Sequence, residues 1–194
     1  LITDEIHQDL VYPGNTFVPL HVVSPEIEDQ FVVISAASKT FNIAGQRQGY
    51  FIIPDDTLRE TMRQRLDALE YKPSMFGMIM TTAAYSPEGA TWVDAQIAHL
   101  AGNCAAFEAK VNAIPGVHAL PLEATYLAWV DFEGTGMDPD EIKRRIYKEA
   151  RIAASDGPSF GVGGKYFMRF NLAAPRALVE EAGDRLQAAF ADLQ

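Results

Sequence analysis

Lys39 stands in the stretch F-V-V-I-S-A-A-S-K-T-F-N-I-A-G-Q-R, just after a short apolar and β-branched run, Phe31 to Ser35, gives way to small residues. Such a run is the pattern of a strand buried on both faces in a parallel sheet. Ligands of open α/β sheets bind outside the carboxyl ends of the strands, so a lysine there is either a solvated loop charge or a working amine. Three more side chains bear on that choice: Asp4 near the start, Arg47 in the lysine loop, and Arg169 inside the apolar run Y-F-M-R-F-N-L. Each has an ordinary reading alone. Asp4 suits a helix N-cap, and Arg169 suits an outward position on a half-exposed strand. His7, on an amphipathic turn, suits a surface or capping role. Together they match the needs of an aldehyde cofactor such as pyridoxal phosphate (PLP) acting on an amino acid. An amine must form a Schiff base with the aldehyde, and a carboxylate must face the pyridinium nitrogen so that the ring drains electrons from Cα. A cation must meet the phosphate, and a guanidinium the substrate carboxylate. Lys39, Asp4, Arg47 and Arg169 fill those positions in that order.

Other chemistries fail on spacing. The glycine-rich segment Gly157 to Lys165 has Ser159 and Tyr166 where a phosphate-cradling loop needs glycine and Ser or Thr. Neither H-E-x-x-H nor G-x-S-x-G occurs, and the histidines at 7, 21, 99 and 118 are too dispersed for a recognisable zinc motif. Cys104 is the only cysteine, which excludes a disulfide framework and a cysteine-rich metal site. Trp92, Phe107, Tyr126 and Trp129 read as core rather than as cofactor stackers.

The elements that must position these groups follow from length and pattern. A chain of 194 residues with 48% apolar and 22% charged content is globular, with one large domain or two small ones. The net charge of −10 argues against general nucleic-acid binding. No apolar run approaches the roughly 20 residues that span a bilayer, and no signal peptide is recognisable, so the expected location is cytoplasmic. The first residue is leucine, in what reads as mid-strand, and the expectation is a fragment of a longer protein.

Leu1 to Thr3 reads as a strand end, followed by an amphipathic turn over Glu5 to Val11 that Asp4 can cap. The segment up to Gln30 is loop-like, and Gly49 to Ile53 is a second strand. A helix is predicted near 56–71, with Thr57 and Glu60 at capping-box spacing and Leu58, Met62, Leu66 and Leu69 on one face. A second helix, Met75 to Ala84, is expected to be mostly buried, with Ser74 as its cap. The longest helix carries Trp92, Val93, Ile97, Leu100, Cys104, Phe107 and Val111. At about 22 residues it reaches roughly 33 Å, enough to cross between domains, so the predicted boundary lies within it, dividing 1–95 from 96–194. Beyond Pro115-Gly116, Val117–Leu120 and Thr125–Phe132 read as a strand pair, and Asp138-Pro139 as a helix start with Ile142 and Ile146 on its apolar face. Ile152–Ala154 and Tyr166–Leu172 read as strands. The terminal helix starts at Pro175 with Leu178, Ala182, Leu186, Ala189 and Leu193 on one side.

The motifs D-E-I-H-Q-D-L-V-Y-P-G, S-K-T-F-N-I-A-G, A-T-Y-L-A-W-V-D and F-M-R-F-N, in that order, resemble fold-type I PLP enzymes. Within the class I/II aminotransferase superfamily, the resemblance is to the MalY/PatB-type cystathionine β-lyase branch, and it covers essentially the whole chain. It implies an α/β fold: the end of a large PLP-domain sheet, a long linking helix and a small α+β C-terminal domain. By position, Lys39 is implied as the Schiff-base lysine and Cα acid/base, Asp4 as the partner of the pyridinium nitrogen, and Ser38 and Arg47 as phosphate contacts. His7 takes the place of a tyrosine that many aminotransferases aim at the cofactor's phenolic oxygen, and Arg169 is implied to clamp the substrate's α-carboxylate. Ala36 departs from the family, which has a phosphate-binding serine there. The family's glycine-rich phosphate loop, ring-stacking aromatic and asparagine lie upstream of the aspartate and are not among these residues, so the chain alone is expected to be inactive.

The expected activity is α,β-elimination from an amino acid such as cystathionine, giving a thiol, pyruvate and ammonia. The resemblance further implies a homodimer and a small-molecule amino-acid substrate, with no metal, nucleic-acid or membrane partner. An aminotransferase shares every step up to Cα deprotonation and is the second reading. A regulatory PLP-fold module without turnover is the third, and a plain structural domain the fourth.

Overall fold

Ile2–Asp4 forms strand β1. After a four-residue helix α1, Leu20–Val23, and a tight turn over Pro25–Gln30, the chain returns as β2, Val32–Ser35. β2 runs parallel to β1, with Asp4 beside Ile34. On its other side lies β3, Tyr50–Ile52, antiparallel, with Tyr50 opposite Ser35. The small sheet is therefore mixed, with the order β1-β2-β3. Its middle strand is the buried one, as a continuous apolar run requires, whereas Phe51 and Ile52 on β3 are exposed. The computed structural model describes residues 1–193. The chain divides into two compact units, Leu1–Gln96 and Ile97–Gln194.

Unit 1 continues with α2, Asp56–Ala68, and α3, Met75–Ala84. The N-cap of α2 is Asp55, whose carboxylate accepts from Leu58 N at 2.6 Å, and not Thr57 as the capping-box spacing suggests. P-D-D-T offers three capping residues in a row, and the first to adopt extended backbone takes the role. Leu58, Met62 and Leu66 are half-buried on one face, while Leu69 lies past the helix end and is exposed. Ser74 caps α3 as expected. The expected burial of α3 is not found: only Gly77 and Ala84 are buried, and Met75, Phe76, Met78 and Ile79 face solvent. Apolar content marks a surface that can be covered; it does not supply the cover.

The division between the units falls inside α4, Pro87–Val111, whose 25 residues end just before the Pro115-Gly116 stop. In unit 2 the sheet order is β4-β5-β7-β6, antiparallel throughout. β4 is His118–Ala119 and β5 Leu127–Asp131. β6 is Ser155–Asp156 and β7 Phe167–Asn171. The expected strand Ile152–Ala154 is displaced to Ser155–Asp156, because pairing is set by Arg169 opposite Ser155 rather than by the apolar run itself. Between β5 and β6, Pro139–Arg144 forms α5 with Asp138 as its cap, burying Ile142; the chain continues through a π turn that buries Ile146. α6, Arg176–Ala189, buries Val179, Gly183, Leu186 and Ala189, one position off the predicted stripe at Leu178.

The core of unit 2 lies between one sheet face and these helices. Ala128, Val130, Met168 and Phe170 are buried from the sheet, and Leu100, Cys104, Phe107, Val111, Val179 and Leu186 from α4 and α6. Phe107 packs on Phe170 at 5.3 Å and Phe132 on Phe190 at 5.5 Å, in the range of favourable aromatic pairs. Among the described residues, no helix is long and apolar enough to cross a membrane.

Candidate active site

Strand pairing decides where the candidate site residues of unit 1 lie. β1 and β2 are parallel with Asp4 beside Ile34, so both strands leave the sheet at the same edge. Asp4 is the last residue of β1, and Lys39 follows the end of β2 by four positions. Because Tyr50 of β3 lies opposite Ser35, the whole connection 36–49, with Ser38, Lys39 and Arg47, arches over that edge. His7 lies on the turn that follows Asp4. The structure thus brings Asp4, His7, Ser38, Lys39 and Arg47 to one sheet edge, the one where α/β folds bind ligands.

Several contacts hold this edge in shape. Asp4 Oδ1 accepts from Ile6 N at 3.1 Å, closing an Asx turn that fixes the carboxylate. Thr40, fully buried, donates to Asp9 Oδ2 at 3.1 Å and ties the lysine turn to the turn after β1. Phe41 stacks on Trp92 at 5.6 Å and meets Tyr85 edge-on at 5.9 Å. Lys39 therefore precedes two anchored residues and is itself half-buried. Gln8 Nε2 donates to the Tyr50 hydroxyl at 3.3 Å, and that hydroxyl is 3.2 Å from the Tyr85 hydroxyl. Burial, the bond to Tyr50 and the charge of Asp9 push the Tyr85 phenol well above its ordinary pKa, so it stays protonated.

Ser35 does not replace the donor missing at Ala36: it is 1% exposed and its hydroxyl donates to Glu5 O at 3.3 Å. Ser38 and Arg47 remain as the edge's hydroxyl and cation. Arg47 sits in left-handed backbone, φ 49°, at the end of a short turn over Ala44–Gln46. It lines an open cavity of about 550 Å³ with Gln48, Tyr50, Lys72 and Ser74. Gly77 lets Gln48 close on α3, since a Cβ there would stand 2.8 Å from Gln48 Cβ. An amine, a carboxylate, a hydroxyl and a guanidinium at one strand edge is a donor set that suits a phosphorylated pyridine aldehyde.

Arg169 belongs to unit 2. It sits at the centre of β7, opposite Trp129 of β5 and Ser155 of β6. Its neighbours Met168 and Phe170 point into the core, so Arg169 takes the opposite face, as alternation requires. That face is aromatic. Trp129 stacks on Phe167 at 5.2 Å, and the Arg169 guanidinium carbon lies 4.2 Å from the Phe160 ring centre. Phe107 is core as expected, but Trp129 lines the arginine's face, and Trp92, 46% exposed, braces the lysine turn.

Sequence reasoning missed Asn103. It is 0% exposed; its Nδ2 donates to Leu172 O at 2.7 Å and Ala174 O at 2.8 Å, and its Oδ1 accepts from Arg176 Nε at 2.6 Å. Every valence of its amide that the site can use is met, and the chain leaving β7 is sewn to α4 just beyond Arg169. Gly102 admits the Arg176 side chain, since a Cβ there would stand 2.1 Å from Nη2. An amide inside an otherwise apolar helical stripe was the available signal.

The family described as aminotransferase class I and II matches residues 1–186. Cystathionine β-lyase PatB of Bacillus subtilis is 33% identical over 195 residues, 97% of this chain and 49% of that protein. Protein MalY of Escherichia coli is 29% identical over 185 residues, 93% of this chain and 46% of that protein. The crystal structure of cystalysin from Treponema denticola, which contains a pyridoxal 5′-phosphate cofactor, matches with a TM-score of 0.92 at 32% identity. That match covers 100% of this chain and 49% of the cystalysin chain. The chain thus spans about half the length of the curated relatives it matches.

Proposed function

The chain belongs to the aminotransferase class I and II family, and from that premise we propose that the protein containing it is a PLP-dependent carbon–sulfur β-lyase. The observation that carries this reading is the parallel pairing of β1 with β2, which sets Asp4 and Lys39 at one strand edge. When bound, the cofactor's protonated ring withdraws electrons from the substrate's Cα. Lys39 Nζ anchors the aldehyde and moves the proton at Cα. The Asp4 carboxylate would pair with the pyridinium nitrogen and keep its proton in place. His7 would serve the phenolic oxygen, and Ser38 and Arg47 would hold the phosphate. With Ala36 lacking a hydroxyl and Ser35 engaged by Glu5, Arg47 carries a larger share of that binding. Arg169 forks onto the substrate's α-carboxylate.

The substrate is an amino acid with a thioether at Cβ, such as cystathionine, and the products are a thiol, pyruvate and ammonia. PatB supports elimination over transamination by its name and its identity to this chain. We place the protein in the cytoplasm as a homodimer, an assembly that the exposed apolar residues of unit 1 favour. The test is to give the full-length protein L-cystathionine with PLP and no keto acid. Pyruvate formation supports the lyase. Turnover only when a keto-acid acceptor is added identifies an aminotransferase instead.

A further inference from the structure

We propose that Phe160 is a positioning residue that holds the Arg169 guanidinium flat for the substrate's α-carboxylate, an inference that rests on the role given to Arg169 above. The guanidinium carbon stands 4.2 Å from the Phe160 ring centre, within the distance at which the face of a ring attracts a cation. A stacked guanidinium keeps its in-plane N–H groups outward, and those are the groups that fork onto a carboxylate. None of the ion pairs among the described residues involves Arg169. A carboxylate neighbour would have taken the fork; the ring steadies the arginine without occupying it.

Phe160 is not a core residue that happens to lie nearby. Its side chain is 49% exposed, so the ring belongs to the surface beside Arg169 and not to the core. Trp129, directly opposite Arg169 in the sheet, meets the Phe160 ring edge-on at 5.4 Å and so limits its rocking.

The loop beneath the ring is also held. Phe160 ends the turn Gly157–Phe160, and Ser159 Oγ donates to Asp156 O at 2.6 Å inside it. Gly157 and Gly164 cross backbone to backbone. A Cβ on Gly157 would stand 2.2 Å from Gly164 O and 2.3 Å from Phe167 O, and a Cβ on Gly164 would stand 2.1 Å from Gly157 O. Gly161, at φ 130°, makes the turn away from the ring in backbone that side chains disfavour. The glycine-rich segment that fails as a phosphate loop thus works as a rigid mount for one aromatic ring.

The experiment compares Phe160→Leu, Phe160→Tyr and Arg169→Lys in the full-length, PLP-loaded protein. Phe160→Leu keeps apolar bulk and removes the π face. Its KM for L-cystathionine is expected to rise about threefold, with kcat within about twofold and the melting temperature nearly unchanged. Its preference for the free carboxylate over the α-carboxamide of the same substrate should fall by a similar factor, and Phe160→Tyr should restore both. Arg169→Lys should raise KM far more. If Arg169→Lys raises KM and Phe160→Leu changes neither KM nor the carboxamide preference, the inference is overturned while the role of Arg169 stands. If Arg169→Lys itself leaves both unchanged, the role of Arg169 fails and the inference with it.

Discussion

The two units of this chain solve the problem of burial to different degrees. Among the described residues, unit 1 contributes nine buried apolar side chains and leaves sixteen large ones exposed; unit 2 buries twenty and exposes five. Unit 2 is a finished sheet-on-helix layer with its one buried amide fully bonded. In unit 1 three strands share a buried centre, and a whole helix, α3, shows its apolar face to water. Yet unit 1 carries the amine, the carboxylate, the hydroxyl and the guanidinium proposed to hold the cofactor. Strand direction and a few anchoring contacts are enough to gather these groups at one edge, without a large core beneath them in their own unit.

The largest expected effect separates chemistry from stability. Lys39→Ala in the full-length, PLP-loaded protein should lower elimination by at least about a thousandfold. The melting temperature should stay within a few degrees, since Lys39 is half-buried and fills no core. Stopped assays of pyruvate and a thermal melt measure both, and near-normal turnover would remove the lysine from the chemistry.

Next in size is the contrast between the cores. Phe107→Ala in unit 2 should cost about 3–5 kcal/mol, whereas Phe76→Ala on the exposed face of α3 should change stability by less than about 0.5 kcal/mol in the 194-residue chain. Urea titration of both variants is the check, and equal costs would erase the comparison. Asn103→Ala should cost about 1–3 kcal/mol, because the Arg176 Nε–H loses its acceptor and the Leu172 and Ala174 carbonyls each lose one of their donors. A neutral result would mean that water replaces the amide there.

The smallest effect is one of pH. Hydrogen bonds from Arg144 and then Arg145 hold the Glu141 carboxyl down at about 2, against 4.5 when free. A depressed folded pKa means a contribution present above about 4.5 and lost as pH falls toward 2. The stability gap between the parent and Glu141→Gln should therefore be small at neutral pH and close over that window, as acid-titrated denaturation curves would show. A gap that widens on acidification would contradict the pairing.

Much of this arrangement is legible in the sequence because it rests on local pattern. The apolar run before Lys39, the caps at Ser74 and Asp138, and the length of the linking helix all follow from periodicity and capping chemistry. Three features escape it. The exposure of α3 depends on what covers a helix, which its own residues do not encode. The shifts from Leu178 to Val179 and from Ile152 to Ser155 are small slips of register, settled by packing across the sheet and helices. The roles of Asn103 and Phe160 arise between residues more than fifty positions apart or on a loop with no period, so no local window contains them.

In the proposed function the amine of residue 39 holds the cofactor. Borohydride treatment of the full-length protein with PLP, followed by peptide mapping, tests it most directly. A pyridoxyl group fixed on Lys39 and bleaching of the visible band are the expected result. Modification of another lysine, such as Lys72 or Lys165, with Lys39 recovered intact, would contradict it.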